Sequence, residues 1–381
     1  MTAASAAGVL GTPTSRVEGR AKVTGAARYA AERNAVGLAH GFVVSATIAK
    51  GRITRILTAD ALAIDGVLDV FTHAHRPKLA SADEKYGDQV APPGKPFRPL
   101  YGDHVRFSGQ PVALVVAEEP EIARFAASLV RIDYEQEHHV TDFEGQRGKA
   151  AVRGGDEAHV YGRGNAAKAF AQAPVRIEAA YRMPVEHHNA MEMFGATAVW
   201  EDGGRITVHD KTQGPQNCRD YVANVFDLRP DDVRVLCPYV GGAFGSGLRP
   251  QYELPLAVLA ARALKRSVQV ALTRQQMFTL GYRAANIQSL ALAAERDGRL
   301  AAFRHTFIGM TSRFEDFQRN SVGWSSQLYR CANVETSQKL VKLDYNTPSD
   351  MRAPGGAEGL YAIECAMDEL ACAGSIRSSC G

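Results

Sequence analysis

The residues best suited to chemistry lie in three short segments. The first, VGGAFGSG at 240–247, places Gly241, Gly242, Gly245 and Gly247 between a strand-like and a helix-like stretch. Glycines so spaced allow positive φ and a close backbone approach, so successive N–H groups can face an oxyanion or a phosphate. A dinucleotide fingerprint needs G-x-G-x-x-G and a P-loop needs G-K-[ST]; neither spacing is present. A tight turn packing a helix on a strand is the plain structural alternative. Upstream, in DKTQGPQNCRD, Gln213 closes a strand and offers an amide donor, though a lone loop glutamine is usually surface decoration. Downstream, in MRAPGGAEG at 351–359, Arg352 precedes a rigid Pro354 and two glycines. Its fork of donors suits a planar oxygen or a carboxylate; alone it reads as an exposed turn residue.

The elements that must position these segments follow from periodicity. Residues 40–71 alternate the strand-like runs GFVVSATI, GRITRILT and GVLDVFT with a short helical stretch at DALAI. After APPGKPFRPLYGD, the run PVALVVA leads into the helical EPEIARFAASLV and the strand-like RIDYEQ, a strand-helix-strand unit. Residues 141–166 are polar, contain six glycines and read as a surface linker. Beyond it VRIEAAYRMP, RITVHD, VRVLCPYV and VQVAL read as strands, and NCRDYVANVF and ELPLAVLAARALK as helices. Such alternation builds α/β layers with sites at the loops where strands end.

Composition sets the outer limits. The 381 residues are 45% hydrophobic and 22% charged, and 44 Lys+Arg against 41 Asp+Glu leave a scattered net charge of +3. That balance suits a two- or three-domain globular protein and points to neither nucleic acid nor a membrane surface. No run of about 18 or more apolar residues suggests membrane insertion. The opening lacks a basic region followed by an apolar stretch, so the cytoplasm is the expected compartment. A periplasmic location would require export in folded form on a signal-bearing partner. The six cysteines never reach C-x-x-C spacing, which argues for small core residues rather than zinc or iron-sulfur ligands.

Taken together, VGGAFGSG, DKTQG and MRAPG, with VTGAARYAAE, SATIAKGRI, SLVRIDYE and HHNAMEMFGATAVW, resemble one family. The chain is similar to the molybdenum-binding subunit of the xanthine dehydrogenase and aldehyde oxidase family, especially the bacterial aldehyde oxidoreductases with three separate subunits. The likeness runs from about residue 16 to 371. It implies an α+β protein: an α/β hammerhead domain at 16–140, the linker at 141–166, and the first part of a molybdopterin-binding α/β domain at 167–371.

The cofactor implied is a molybdenum held by the dithiolene sulfurs of a pterin, with or without an appended nucleotide, so no protein side chain need ligate the metal. By motif, Gln213 would hydrogen-bond an oxo ligand. Gly241, Gly242, Phe244 and Gly245 would approach the cofactor along their backbone, and Arg352, also at the cofactor, would orient the substrate. The reaction implied is hydroxylation of a small aldehyde or heteroaromatic carbon with water. Electrons would pass to separate iron-sulfur and FAD subunits, since this chain shows no iron-sulfur or flavin signature.

Several departures matter. Leu248 stands where purine oxidisers carry an acid, which favours aldehydes. The family's M-E-P reads Met191, Glu192, Met193, and its G-E-A-P-G reads Gly356, Ala357, Glu358, Gly359. His187 and His188 fall inside the matched EHHNAME segment and read as structural or channel residues rather than a metal pair. A glutamate general base, which the family supplies late in a longer chain, is expected to be missing; neither Glu358 nor Glu364 is assigned that role. After MDELA the family reads L-D-P-V-E-L-R whereas residues 372–381 do not, and synonymous codons read one base out of frame from Gly374 restore those seven residues. The stretch 372–381 is therefore read as a frameshifted tail. Two other functions compete: a non-catalytic remnant that at most docks partner subunits, and a nucleotide-binding module, which lacks phosphate signatures. Resequencing across the tail is expected to find a single-base shift; an unchanged reading frame contradicts it.

Overall fold

The run Pro111–Ala117 is buried at every residue, and because successive side chains of a strand point to opposite faces, it must be covered on both. Helix Pro120–Leu129 supplies one cover. It starts with proline at its first turn and lays Ala126 and Ala127 over Val115 and Val70. On the other face Leu114 and Val116 enter the main core with Val222, Leu256 and Leu259. These relations come from a computed structural model that describes residues 11–152 and 160–374.

Pro111–Ala117 belongs to a seven-stranded mixed sheet. The spatial order is Val233–Leu236, Ile206–Asp210, Gly195–Trp200, Val268–Ala271, Ala39–Ser45, Pro111–Ala117, Val67–Thr72. Ala39, His40 and Gly41 run parallel to Val268, Gln269 and Val270. Gly41 makes that junction close, since a Cβ there would lie 2.8 Å from Val270 Cγ2. One sheet thus passes through both of the units into which the sequence divides at 141–166. Arg249 ties them again, with Nε 2.7 Å from Asp88 Oδ2 and Nη2 2.8 Å from Glu315 Oε1.

Two other sheets complete the architecture. Gly51–Leu57 pairs with His104–Val105 and Arg131–Gln136 in a three-stranded sheet. The second strand of the expected strand-helix-strand unit therefore does not return to the sheet of the first. The third sheet has the order Val160–Arg163, Val334–Leu343, Leu300–Ser312, Asn286–Ala294, Val175–Met183. Helix Gly356–Ala373 covers it, with Ala362, Ile363, Ala366 and Leu370 against Leu290, Leu292 and Phe303.

The stretch 141–166 is not a simple surface linker. Val160–Arg163 is an edge strand on Val334–Leu343, Ala151 bridges to Leu340, and a helix starts at Ala166 behind an Asn165 cap. Phe143 and Ala150 supply the reason, packing with Val341 and Met310. Of the cysteines, Cys218 and Cys331 are buried as expected, but Cys372 is exposed, on the outer side of the long helix. Residues 372 and 373 end that helix; the rest of the stretch read as a frameshifted tail, from 375, and Cys380 with it, lies outside the described residues. No described helix is long and apolar enough to cross a membrane.

The third sheet encloses a polar chain. His305, 1% exposed, places Nε2 3.0 Å from Gln288 Oε1 and Nδ1 2.7 Å from Ser325 Oγ. The Gln288 amide donates to Asn286 Oδ1 and to the Glu358 carbonyl, so its oxygen is left to accept from His305 Nε2–H. Burial pushes the His305 pKa down to about 3. Below about pH 6.5 the unfolded chain takes a proton that the native imidazole refuses, so stability falls by roughly 4 kcal/mol as pH approaches the folded value. Urea denaturation between pH 7 and 4 should show a shallower decline in His305→Gln than in the parent; equal slopes contradict the assignment.

Candidate functional site

Strands Ile206–Asp210 and Val233–Leu236 run parallel and are joined through helix Pro215–Val225, so both end at the same edge of the large sheet. Gln213 leaves the first strand there and the glycine loop leaves the second. The two lock together: the Gln213 N–H donates to the Gly247 carbonyl at 2.8 Å. Gln213 Oε1 accepts from the N–H groups of Gly245 and Gly247 at 2.9 and 3.3 Å. With its oxygen engaged, the side-chain NH2 of this exposed glutamine is the group left for a ligand.

The third segment arrives from the other sheet. Arg352 N–H donates to the Phe244 carbonyl at 2.8 Å. Gly245 has φ +109°, and a Cβ there would run into the Asp350 carbonyl. Phe244 takes φ +57°, a left-handed conformation costly for an aromatic residue, and is 49% exposed. Among the described residues the N–H groups of Gly242, Ala243 and Phe244 donate to no protein acceptor. The Arg352 guanidinium is exposed and pairs with no described carboxylate. The structure therefore brings together all the residues singled out in the sequence: Gln213, Gly241, Gly242, Phe244, Gly245 and Arg352. Three consecutive free N–H groups, one amide donor and one guanidinium fit an oxygen-rich anionic group approached by backbone.

Beneath the loop lies a set of residues to which motif reading gave no role. Glu192, the middle of the altered M-E-M, accepts from the Gly241 N–H at 2.6 Å, and its own N–H donates to the Gly241 carbonyl at 3.0 Å. Asp210, Lys211 and Glu253 are at most 2% exposed, and Lys211 Nζ sits 3.9 Å from the centre of the Phe194 ring. Burial pushes the Asp210 and Glu253 carboxyls up and the Lys211 ammonium down, drawing all three toward neutrality. The available signal was charge inside apolar runs, as in the glutamate that opens ELPLAVLAA.

The remaining polar candidates are engaged elsewhere. His188 Nε2 meets the Asp350 carbonyl at 2.7 Å, while His187 packs edge-on to Phe278. Glu358 faces Arg283 at 3.4 Å, and Glu364 accepts from the Tyr329 hydroxyl at 2.9 Å. The Leu248 carbonyl is held by Asn217 Nδ2 at 3.1 Å. No group of three or more His, Cys, Asp or Glu side chains among the described residues could hold a metal ion.

Residues 24–138 match the family model described as the aldehyde oxidase and xanthine dehydrogenase a/b hammerhead domain, and 152–378 match that of the molybdopterin cofactor-binding domain. The chain belongs to the aldehyde oxidase and xanthine dehydrogenase family. It is 36% identical to the aldehyde oxidoreductase molybdenum-binding subunit PaoC of Escherichia coli K12, over 95% of this chain and 48% of that protein. It is 30% identical to the putative xanthine dehydrogenase molybdenum-binding subunit XdhA of the same strain, over 94% and 49%. Among solved structures, quinoline 2-oxidoreductase from Pseudomonas putida 86 superposes with a TM-score of 0.82 at 26% identity, covering 96% of this chain and 48% of that one. Aldehyde oxidoreductase from Desulfovibrio gigas gives 0.81 at 25%, covering 95% and 42%. The chain spans about half the length of the curated relatives it matches.

The loop geometry can be tested without any ligand. Gly245→Ala forces a side chain against the Asp350 carbonyl at a positive φ, and should cost about 2 kcal/mol or more in thermal unfolding. Gly102→Ala, which meets open space, should leave the transition unchanged. Equal behaviour of the two variants contradicts the close approach of the loop and the Arg352 turn.

Proposed function

We propose that this chain forms the cofactor-facing part of the molybdenum-binding subunit of an oxidoreductase that hydroxylates small aldehydes. Heteroaromatic carbons are the second substrate class. The observation that carries this reading is the row of free N–H groups at Gly242, Ala243 and Phe244, flanked by the Gln213 amide and the unpaired Arg352 guanidinium. When bound, a molybdenum pterin, with or without an appended nucleotide, supplies two-electron oxidation with water as the oxygen source. The chain's own residues bind and orient. The backbone N–H groups of Gly242, Ala243 and Phe244 and the Gln213 NH2 would hold the cofactor's oxygens, while Glu192 and Gln213 fix the loop by accepting from the N–H groups of Gly241 and Gly245. Arg352 fixes the substrate's carbonyl or ring heteroatom and stabilises negative charge that develops there.

Leu248, in place of an acid, favours a neutral aldehyde over a purine. Neither Glu358 nor Glu364 is assigned proton acceptance, since Arg283 faces the first and Tyr329 donates to the second. The electrons are proposed to leave through iron-sulfur and FAD subunits; the relatives' own names, as molybdenum-binding subunits, support a multi-subunit assembly.

The test is oxidation of benzaldehyde by the molybdenum-loaded complex with an artificial electron acceptor. Arg352→Met should raise KM about tenfold, worth roughly 1.4 kcal/mol, without loss of molybdenum. Gln213→Ala should lower kcat more than it changes KM. Turnover of xanthine but not benzaldehyde would overturn the aldehyde assignment, and purified complex free of molybdenum and pterin would overturn the cofactor reading.

A further inference from the structure

The carbonyl side of Arg352 is held as firmly as its amide side, and by a residue outside every segment discussed so far as site chemistry. Arg283 precedes strand Asn286–Ala294 and is 8% exposed. Its Nη1 donates to Glu186 Oε2 at 2.6 Å and its Nη2 to the Arg352 carbonyl at 2.7 Å. Its Nε lies 3.4 Å from Glu358 Oε1, in the first turn of helix Gly356–Ala373. The Arg283 backbone is fixed in turn, donating to the Glu186 carbonyl at 2.9 Å and accepting from the Glu186 N–H at 3.3 Å. One planar guanidinium therefore gathers the histidine-bearing segment, the Arg352 turn and the start of the long helix.

On its other side the Arg352 peptide is bonded through its N–H to Phe244. The turn that follows these anchors is strained at Ala353, with φ +58°, and passes through Gly355 at φ +73°, which glycine adopts freely. A turn of such conformation keeps its shape only while its surroundings over-determine it. We propose that Arg283 is the positioning residue that sets where the Arg352 guanidinium stands over the glycine loop, acting through the Arg352 carbonyl and not by touching substrate. An arginine suits the place because its flat fork donates to Glu186 and to the Arg352 carbonyl in fixed directions while its charge faces Glu358 at 3.4 Å; the single flexible ammonium of a lysine does not hold that geometry. The two carboxylates offset the charge of the buried fork, so the clamp sits desolvated without leaving a net cation below the site. Its effect on substrate rests on the proposed role of Arg352, whereas the clamp itself does not.

Two measurements separate these. Hydrogen exchange at the Arg352 amide, whose partner is the Phe244 carbonyl, should accelerate on the order of ten- to a hundredfold in both Arg283→Met and Arg283→Lys, as expected for loss of a hydrogen bond to a charged group. Amides of helix Glu253–Leu264 should keep their parent rates. Unchanged exchange at Arg352 in Arg283→Lys overturns the proposal, and so does equal acceleration of both regions, which marks a general loss of stability. Should Arg283→Met not fold, Arg283→Lys carries the test, since it keeps the charge and loses the fork. In the molybdenum-loaded complex, Arg283→Lys should raise the benzaldehyde KM about tenfold with kcat nearly unchanged, and add nothing in an Arg352→Met background. Additive effects in that cycle overturn the coupling. A parent complex that oxidises no aldehyde would defeat the functional reading, and the exchange result would still decide the role of Arg283.

Discussion

Gly245 and Asp350 meet backbone to backbone with no room for a side chain between them, and the placement of the whole site follows from that contact. The glycine loop is carried by the seven-stranded sheet and the Arg352 turn by the five-stranded one, so the contact is where two separately built layers touch. Two hydrogen bonds flank it. Phe244 accepts from the Arg352 amide, and Gln213 accepts from Gly245. A larger residue at position 245 would move the layers apart and leave the amide, the free N–H groups and the guanidinium each intact but no longer facing a common ligand.

The parts of this arrangement that were legible in the sequence are those in which a few neighbouring residues carry the whole signal. VGGAFGSG needs its glycines for φ and for approach, and MRAPG needs its proline and glycines for the turn. Helices Pro120–Leu129 and Glu253–Leu264 reveal themselves through local period and end signals. What stayed hidden depends on partners far along the chain. The parallel junction of Ala39–Ser45 with Val268–Ala271 has no local mark, because either strand would look the same beside any neighbour. Asn286–Ala294 is rich in alanine and leucine, which suit a helix by propensity; its pairing with Leu300–Ser312 and burial overrode that preference. Arg283 is one arginine among many until Glu186, Arg352 and Glu358 surround it.

The cluster under the loop departs from ordinary core chemistry. Asp210, Lys211 and Glu253 sit in a region otherwise filled by Leu254, Val222 and Phe194, and each carries at least one buried polar atom without a hydrogen-bond partner among the described residues. Such conflicts between burial and polarity gather near functional sites, where a sequence serves something besides stability. Here all three stand within a few residues of Gln213 or the helix that follows the glycine loop, and Glu192 links them to the Gly241 peptide.

The sheet that runs through both sequence units also sets an order for biosynthesis. After Ala39–Ser45 emerges from the ribosome it can pair with Pro111–Ala117 once that strand is made, but its other side must wait far longer for Val268–Ala271. At ordinary elongation rates that wait lasts roughly ten to fifty seconds. Throughout it the nascent chain displays an unsatisfied strand margin at Ala39, His40 and Gly41, the kind of margin that recruits foreign strands. The hammerhead portion is thus exposed to chaperones, and to neighbouring nascent copies of itself, for as long as its closing strand remains untranslated.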